Sequence, residues 1–141
     1  RYIGTLSRAI NSTADWKYKK FDLKKGQYLF ITRVCENPGI NFIELSNMLK
    51  VDKTTTTKAI KKLIEIGYLN KEQAESDKRE YKLTPTQKAL DIYDFIMQEE
   101  AKQLEISFGG FNEEEKKIAT DLIKRMSTNI DDYWSQVKNN N

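Results

Sequence analysis

The sequence contains no histidine and one cysteine, Cys35. Without histidine, the chain lacks the side chain that titrates near neutral pH and most often ligates metals. A single cysteine cannot close an internal disulfide or build a thiolate metal cluster, so neither a metal nor another cofactor is expected. Proline occurs twice and glycine six times, and the glycines form neither a phosphate-binding loop nor a nucleophile elbow. An enzyme is therefore not expected. No apolar run approaches the ~18 residues that a membrane span requires, and no basic-then-apolar leader opens the sequence, so the expectation is a cytoplasmic protein without membrane contact.

What the chain has is charge. Charged residues make up 32% of its 141 residues against 38% hydrophobic, so its core must come from amphipathic helices in one domain, or in a small domain with helical extensions. The net charge of +3 says less than its distribution. Residues 1–40 carry eight basic and three acidic side chains, residues 41–84 nine and seven, and residues 85–141 seven and eleven. From Lys50 to Lys62, five lysines stand against Asp52 alone. A phosphate-binding surface is expected on the first two-thirds, with the acidic part turned away.

Between Asp52 and Gly67, a helical period places Thr56, Ala59, Ile60, Leu63 and Gly67 on one face. Thr54, Thr55, Lys58, Lys61, Lys62 and Glu65 fall on the other. Asp52 suits the N-cap, and Gly67 suits the left-handed residue that closes the last turn. Small hydroxyls at the start of such a helix and lysines along its outside suit a DNA major groove. A solvated surface helix carries the same pattern, so the flanking segments decide between the two.

Upstream, a helix is expected from about Lys24 to Glu36, with Tyr28, Ile31, Val34 and Cys35 inward, stopped by Asn37-Pro38-Gly39. Asn41 and Glu44 have the spacing of a capping box for a short helix to about Lys50, with Phe42, Leu45 and Leu49 inward. Two short helices joined by so tight a turn make a helix-turn-helix. Downstream, residues 68–72 and 79–83 alternate as strands around a polar connection at 74–78. A hairpin directly after a helix-turn-helix is a winged helix, and this context makes the lysine-faced helix a recognition helix.

Helices flank this unit on both sides. Residues 1–20 place Ile3, Leu6, Ile10, Ala14 and Lys17-Tyr18 on one side of the first. Thr84 is expected to cap a long helix with Pro85 at its first position, its stripe running Ala89, Leu90, Tyr93, Ile96, Met97, Ala101 and Leu104 to about Ser107. Gly109-Gly110 ends it, and Asn112-Glu113-Glu114-Glu115 opens the last helix with acids at the positive end of its dipole. Ile118, Leu122, Ile123, Met126, Ile130, Trp134 and Val137 line that helix, and residues 139–141 are expected to fray. So much apolar surface exceeds what a small winged domain covers. A homodimer joined through the terminal helices is expected, with two recognition helices about one DNA turn (~34 Å) apart over a palindrome.

The order of elements and several local motifs resemble the MarR family of bacterial transcriptional regulators over nearly the whole chain. Leu23-Lys24-Lys25-Gly26-Gln27-Tyr28 is similar to the entry of the family's second helix. Glu44-Leu45-Ser46 and Val51 to Lys58 are similar to its helix-turn-helix. Leu63-Ile64-Glu65-Ile66-Gly67-Tyr68-Leu69 is similar to the helix exit, Asp77-Lys78-Arg79 to the D-x-R of the wing, and Leu83-Thr84 to the opening of the fifth helix. Two departures stand out. Lys24 replaces the usual threonine cap, so either Asp22 takes that role or the helix frays at its start, and the interval from Arg79 to Leu83 is about two residues short, an even deletion that keeps strand parity.

The resemblance implies a mainly α fold with a small β-hairpin wing, divided into an N-terminal dimerisation helix (1–22), a winged helix-turn-helix (23–84) and C-terminal dimerisation helices (85–141). It implies a dimeric regulator, commonly a repressor, that binds a palindromic double-stranded DNA operator and is released by a small-molecule effector or by oxidation. Thr54, Thr55 and Thr57 are then candidates for base or phosphate contact, and Lys58, Lys61, Lys62 and Lys78 for phosphate contact. Thr56 is structural, Arg79 is a candidate for the minor groove, and Asp77 pairs with Arg79 to shape the wing. The region that matches the family's effector site includes Trp16, Tyr28, Thr32 and Arg33, whose aromatics also read as ordinary core. Two alternatives stay open: a winged-helix module that binds protein, and a redox-sensing regulator using Cys35, although the family's oxidation-sensing branch places its cysteine in the first helix.

Overall fold

The computed structural model describes residues 1–140. Its helices are α1 (Tyr2–Tyr18), α2 (Gln27–Glu36), α3 (Phe42–Leu49), α4 (Lys53–Glu65), α5 (Gln87–Ser107) and α6 (Glu113–Asn139), with a 3-10 turn at Lys19–Phe21. Strands β1 (Leu69–Gln73) and β2 (Tyr81–Pro85) pair antiparallel, Leu69 opposite Pro85 and Gln73 opposite Tyr81. This is the mainly helical chain with a hairpin wing that the sequence pattern predicts. Residues 1–100 form one compact unit, and the chain from Ala101 onward forms a second.

The first unit closes around Tyr18, Leu23, Ile31, Leu45, Leu63 and Leu83, all 1% exposed or less. Helix α1 joins this core only through its end. Ala14 and Tyr18 are buried, whereas Ile3 and Leu6, expected on the same stripe, are exposed. In the second unit, Asn112 caps α6 with both bonds of a capping box: its side chain accepts the Glu115 N–H at 2.8 Å, and Glu115 accepts the Asn112 N–H at 3.1 Å. Asn139 ends this helix, Asn140 follows as its C-cap, and Asn141 lies outside the described residues.

Several boundaries differ from the sequence expectation for physical reasons. Helix α2 starts at Gln27, not Lys24, and neither Lys24 nor Asp22 caps it. Gly26 takes the N-cap position at φ 71°, and its N–H donates to Asp15 at 2.9 Å. Asp22, itself left-handed at φ 61°, ends the preceding 3-10 turn. Of the stripe expected on α2, Tyr28, Ile31 and Val34 are buried, but Cys35 is only half-buried, and Phe30 and Thr32 fill the core instead.

The wing starts one residue later than expected because Tyr68 completes the end of α4. Its N–H reaches Leu63 O at 2.8 Å, and the Gly67 N–H reaches Ile64 O at 3.1 Å with Gly67 at φ 84°, a Schellman closure. Pro85 is the last residue of β2 rather than the first of a helix. The cap of α5 passes to Thr86, whose hydroxyl oxygen accepts the Ala89 N–H at 3.3 Å and lies 2.7 Å from Gly67 O. The inward line of α5 also differs from the expected one. Ala89, Ile92 and Ile96 are buried, while Leu90 and Leu104 are exposed.

A candidate nucleic-acid interface

Helix α4 begins at Asp52, whose carboxylate accepts the Thr55 N–H at 2.8 Å and the Thr55 hydroxyl at 2.6 Å. These two bonds, the hydroxyl first, hold the Asp52 carboxyl below its usual titration range. Thr56, Ala59, Ile60 and Leu63 are buried, as the helical period requires. At 100° per residue, the line opposite them runs through Thr54, Lys58, Lys61 and Glu65, all exposed. Thr55 and Lys62 lie on one flank of that line and Thr57 on the other.

The four threonines therefore have four different surroundings. Thr56 is buried, with no hydrogen-bond partner for its hydroxyl among the described residues. Thr55 has spent its hydroxyl proton on the cap, so outward it can only accept. Thr57 donates to Lys53 O at 2.8 Å, a bond within its own helix. Thr54 is exposed on the outermost line. Among the lysines, Lys58 and Lys61 are exposed, whereas Lys62 is half-buried with its Nζ 4.0 Å from Glu65.

The wing approaches the start of α4, at Lys53, with its tip. Asp77 shapes the tip through the backbone: its carboxylate accepts the Arg79 N–H at 2.9 Å. The predicted Asp77–Arg79 pairing thus runs through the main chain, leaving the Arg79 guanidinium without an ion-pair partner among the described residues. Lys78 is exposed beside it, its carbonyl accepting from the Gln73 side chain. A cleft of about 440 Å³ is lined by Arg79, Lys53, Asn41, Phe42, Lys71 and Tyr81, among others. It brings the start of α4 and the tip of the wing onto one surface.

In the sequence Lys53 is one of the five lysines from Lys50 to Lys62 with no individual contact, Asn41 has only a capping role and Lys71 has none. The lysines carry no local signal, since a lysine in a first turn or on a short strand usually faces solvent. Strand pairing places Lys71, and the approach of the wing to the first turn of α4 places Lys53.

The candidate effector residues differ in exposure. Trp16 is 82% exposed, while Tyr28 and Thr32 are buried. The Tyr28 hydroxyl donates to Asn11 at 3.1 Å, and burial pushes its pKa up to about 12. Thr32 donates to Leu29 O at 2.9 Å, and Arg33 pairs with Glu36 at 3.0 Å. Nearby, burial raises the Glu100 carboxyl against the opposing pull of Arg33. Cys35 is half-buried, and burial, with Glu36 adding, pushes its thiol up to about 11. A thiol held protonated at neutral pH is a poor nucleophile and a poor oxidation sensor.

Residues 23–81 match the sequence model of the MarR family. The chain is 40% identical over all 141 residues to an HTH-type transcriptional regulator of Bacillus subtilis, YybA, and covers 94% of it. Among solved structures, a MarR protein from Peptoclostridium difficile superposes at a TM-score of 0.95 with 57% identity, over 98% of this chain and 90% of that one. A putative MarR family transcriptional regulator from Listeria monocytogenes, solved in complex with a 26mer DNA, superposes at 0.96 with 37% identity, over the whole of this chain and 94% of its own.

Proposed function

Because this chain belongs to the MarR family of DNA-binding transcriptional regulators, we propose that it acts in the cytoplasm as a homodimeric repressor on a palindromic double-stranded operator. The observation that carries this reading is the shared surface of α4 and the wing. Lys53 at the head of the helix and Arg79 at the wing tip line one cleft, beside exposed Thr54, Lys58 and Lys61. A helix of about 10 Å diameter with that face fits a major groove, and an arginine beside it reaches the flanking minor groove. The DNA-bound Listeria relative, alike over 94% of its length, supports the same reading.

In this reading Lys58, Lys61, Lys62 and Lys78 neutralise phosphates, and Thr54 is the leading candidate for a base edge. Thr55 and Thr57 serve as acceptors at the groove wall, since their protons are committed within the helix. Dimerisation is supported by the apolar side chains that a single chain leaves exposed on α6 and at the start of α1, among them Ile123, Met126, Ile130 and Tyr2. Release by a small-molecule effector is the regulatory part of the proposal. Its candidate lining on α2 is Tyr28, Thr32 and Arg33, with Trp16 on α1.

Selection of bound sequences from a random DNA pool tests the function directly. A palindrome should be enriched, and its affinity should fall on the order of a thousandfold between about 50 and 200 mM salt if six to ten phosphates are neutralised. Lys58→Ala should weaken all sequences alike, whereas Thr54→Ala should relax preference at particular bases. No enriched sequence, or an affinity indifferent to salt, would leave the protein-binding alternative in its place.

A further inference from the structure

Lys71 lies on the face of the wing that points toward the domain. It pairs with Leu83 across the hairpin, and since side chains alternate along a strand it shares a face with Leu69 and Leu83, both buried. Its ammonium lies 4.1 Å from the centre of the Tyr81 ring and 5.6 Å from that of Phe42. Phe42 is the first residue of α3 and packs against the core. Beside it, the Asn41 amide is used on both ends: its oxygen accepts the Glu44 N–H that caps α3, and its nitrogen donates to Glu80 at 2.7 Å.

The base of the wing is already fixed by backbone bonds, from Gly39 N–H to Leu83 O at 2.8 Å and from Leu83 N–H to Ile40 O at 2.9 Å. Toward the tip, side chains take over this task. Arg79 is the residue before Glu80, so whatever holds Glu80 and Tyr81 also decides where Arg79 stands relative to Lys53.

We propose that Lys71, held between the Phe42 and Tyr81 rings, and the Asn41–Glu80 hydrogen bond form a clamp that fixes the wing tip against the start of α3. Lys71 is then a positioning residue acting through Arg79, not a phosphate contact. Cation–π attraction to two rings and one short hydrogen bond suffice, because the clamp only has to restrain a hairpin tip. The functional half of this inference rests on the DNA-binding reading; the structural half does not.

The structural half is tested in the free protein. Asn41→Asp keeps a good N-cap for α3 but replaces the donor facing Glu80 with a second carboxylate. Amide exchange at Ala74 and Glu80, whose N–H groups bond Glu80 O and Asp77 O, should quicken roughly five- to tenfold. Combining Asn41→Asp with Glu80→Gln exchanges donor and acceptor and should restore the wild-type rates. Unchanged exchange in Asn41→Asp, or no rescue in the double variant, overturns the clamp whatever the protein does with DNA.

On the selected operator, Lys71→Met keeps the aliphatic stem, removes the charge, and should weaken binding roughly three- to tenfold. Lys71→Arg, which keeps a cation over the rings, should bind as wild type. Arg79→Ala should cost about tenfold, and adding Lys71→Met to it should cost nothing more. Additive losses would make Lys71 a phosphate contact, and no loss from either single variant would leave the clamp nothing to position; both overturn the proposal. If wild type enriches no DNA sequence, the DNA-binding reading fails, while the exchange measurements still judge the clamp.

Discussion

Between Ala14 and Ile96 the apolar side chains close over one another, and Ile31, Val34, Leu45, Leu63, Leu83 and Ile96 have essentially no accessible surface. Helix α6, the longest at 27 residues, buries none of its own, although its apolar stripe is as regular as any in the chain. Both regions obey the same helical periodicity, so periodicity does not separate them. What separates them is closure. In residues 1–100, helices and a hairpin approach the core from several directions, while the stripe on α6 stays exposed. A stripe of this size exposed to water favours association.

The largest expected effect lies in the closed region. Leu63→Ala removes a fully buried side chain from the inner face of α4 and should lower the unfolding free energy by about 2–5 kcal/mol in denaturant titration. A loss below about 1 kcal/mol would mean that the core around α4 collapses onto the gap, and the contrast with α6 would weaken. Ile130→Asp attacks the open region, where the side chain is 56% exposed. It should leave the fold intact but shift sedimentation from dimer to monomer, weakening self-association by roughly a hundredfold. Operator affinity should drop with it, since two joined half-sites become two separate ones. A wild-type protein that sediments as a monomer at micromolar concentration would break the dimer reading.

The sequence makes some of these features legible and hides others, and the dividing line is the range of the interaction. Asn41 with Glu44, Asp52 with Thr55, and Gly67 at the end of α4 are bonds between residues at most five apart, and each stands where its residue types predict. The shared orientation of Thr56, Ala59, Ile60 and Leu63 follows from the helical period alone. Pro85 ends β2 instead of opening α5 because its role depends on pairing with Leu69, which lies sixteen residues away and carries no local mark. Lys71 is invisible for the same reason: only the register of the hairpin turns it toward Phe42. Thr55 shows a subtler limit. Its position on the outer face is legible, but the commitment of its proton to Asp52 is not.

Cys35 sharpens the comparison from within the closed region, since a group at the edge of a core should feel that core. Its folded pKa of about 11 lies above the ordinary value of 9.0. A raised acid pKa means that the folded state holds its proton longer. The associated stability is therefore complete below pH 9 and is lost as pH rises toward 11. Alkylation at pH 8 should be roughly a hundredfold slower in the native than in the unfolded protein, since rate follows the thiolate fraction. Oxidant treatment of wild type and of Cys35→Ser should leave DNA binding equal. Rapid alkylation at neutral pH would return the redox alternative to consideration.

The smallest effect is expected at Thr56. Its hydroxyl is buried on the inner face of α4 without a hydrogen-bond partner among the described residues, so folding strips it of water and gives nothing back. Valine has the same shape, a similar helix propensity and no polar atom to desolvate. Thr56→Val should therefore raise stability by about 1 kcal/mol, read as a small increase in the denaturation midpoint at constant slope. Operator affinity and sequence preference should not change, because the residue faces away from the surface that carries Thr54. A destabilised Thr56→Val would mean that the hydroxyl finds a bond in solution, and altered base preference would place the residue on the recognition face. Either result would merge the inner and outer threonines that the fold of α4 keeps apart.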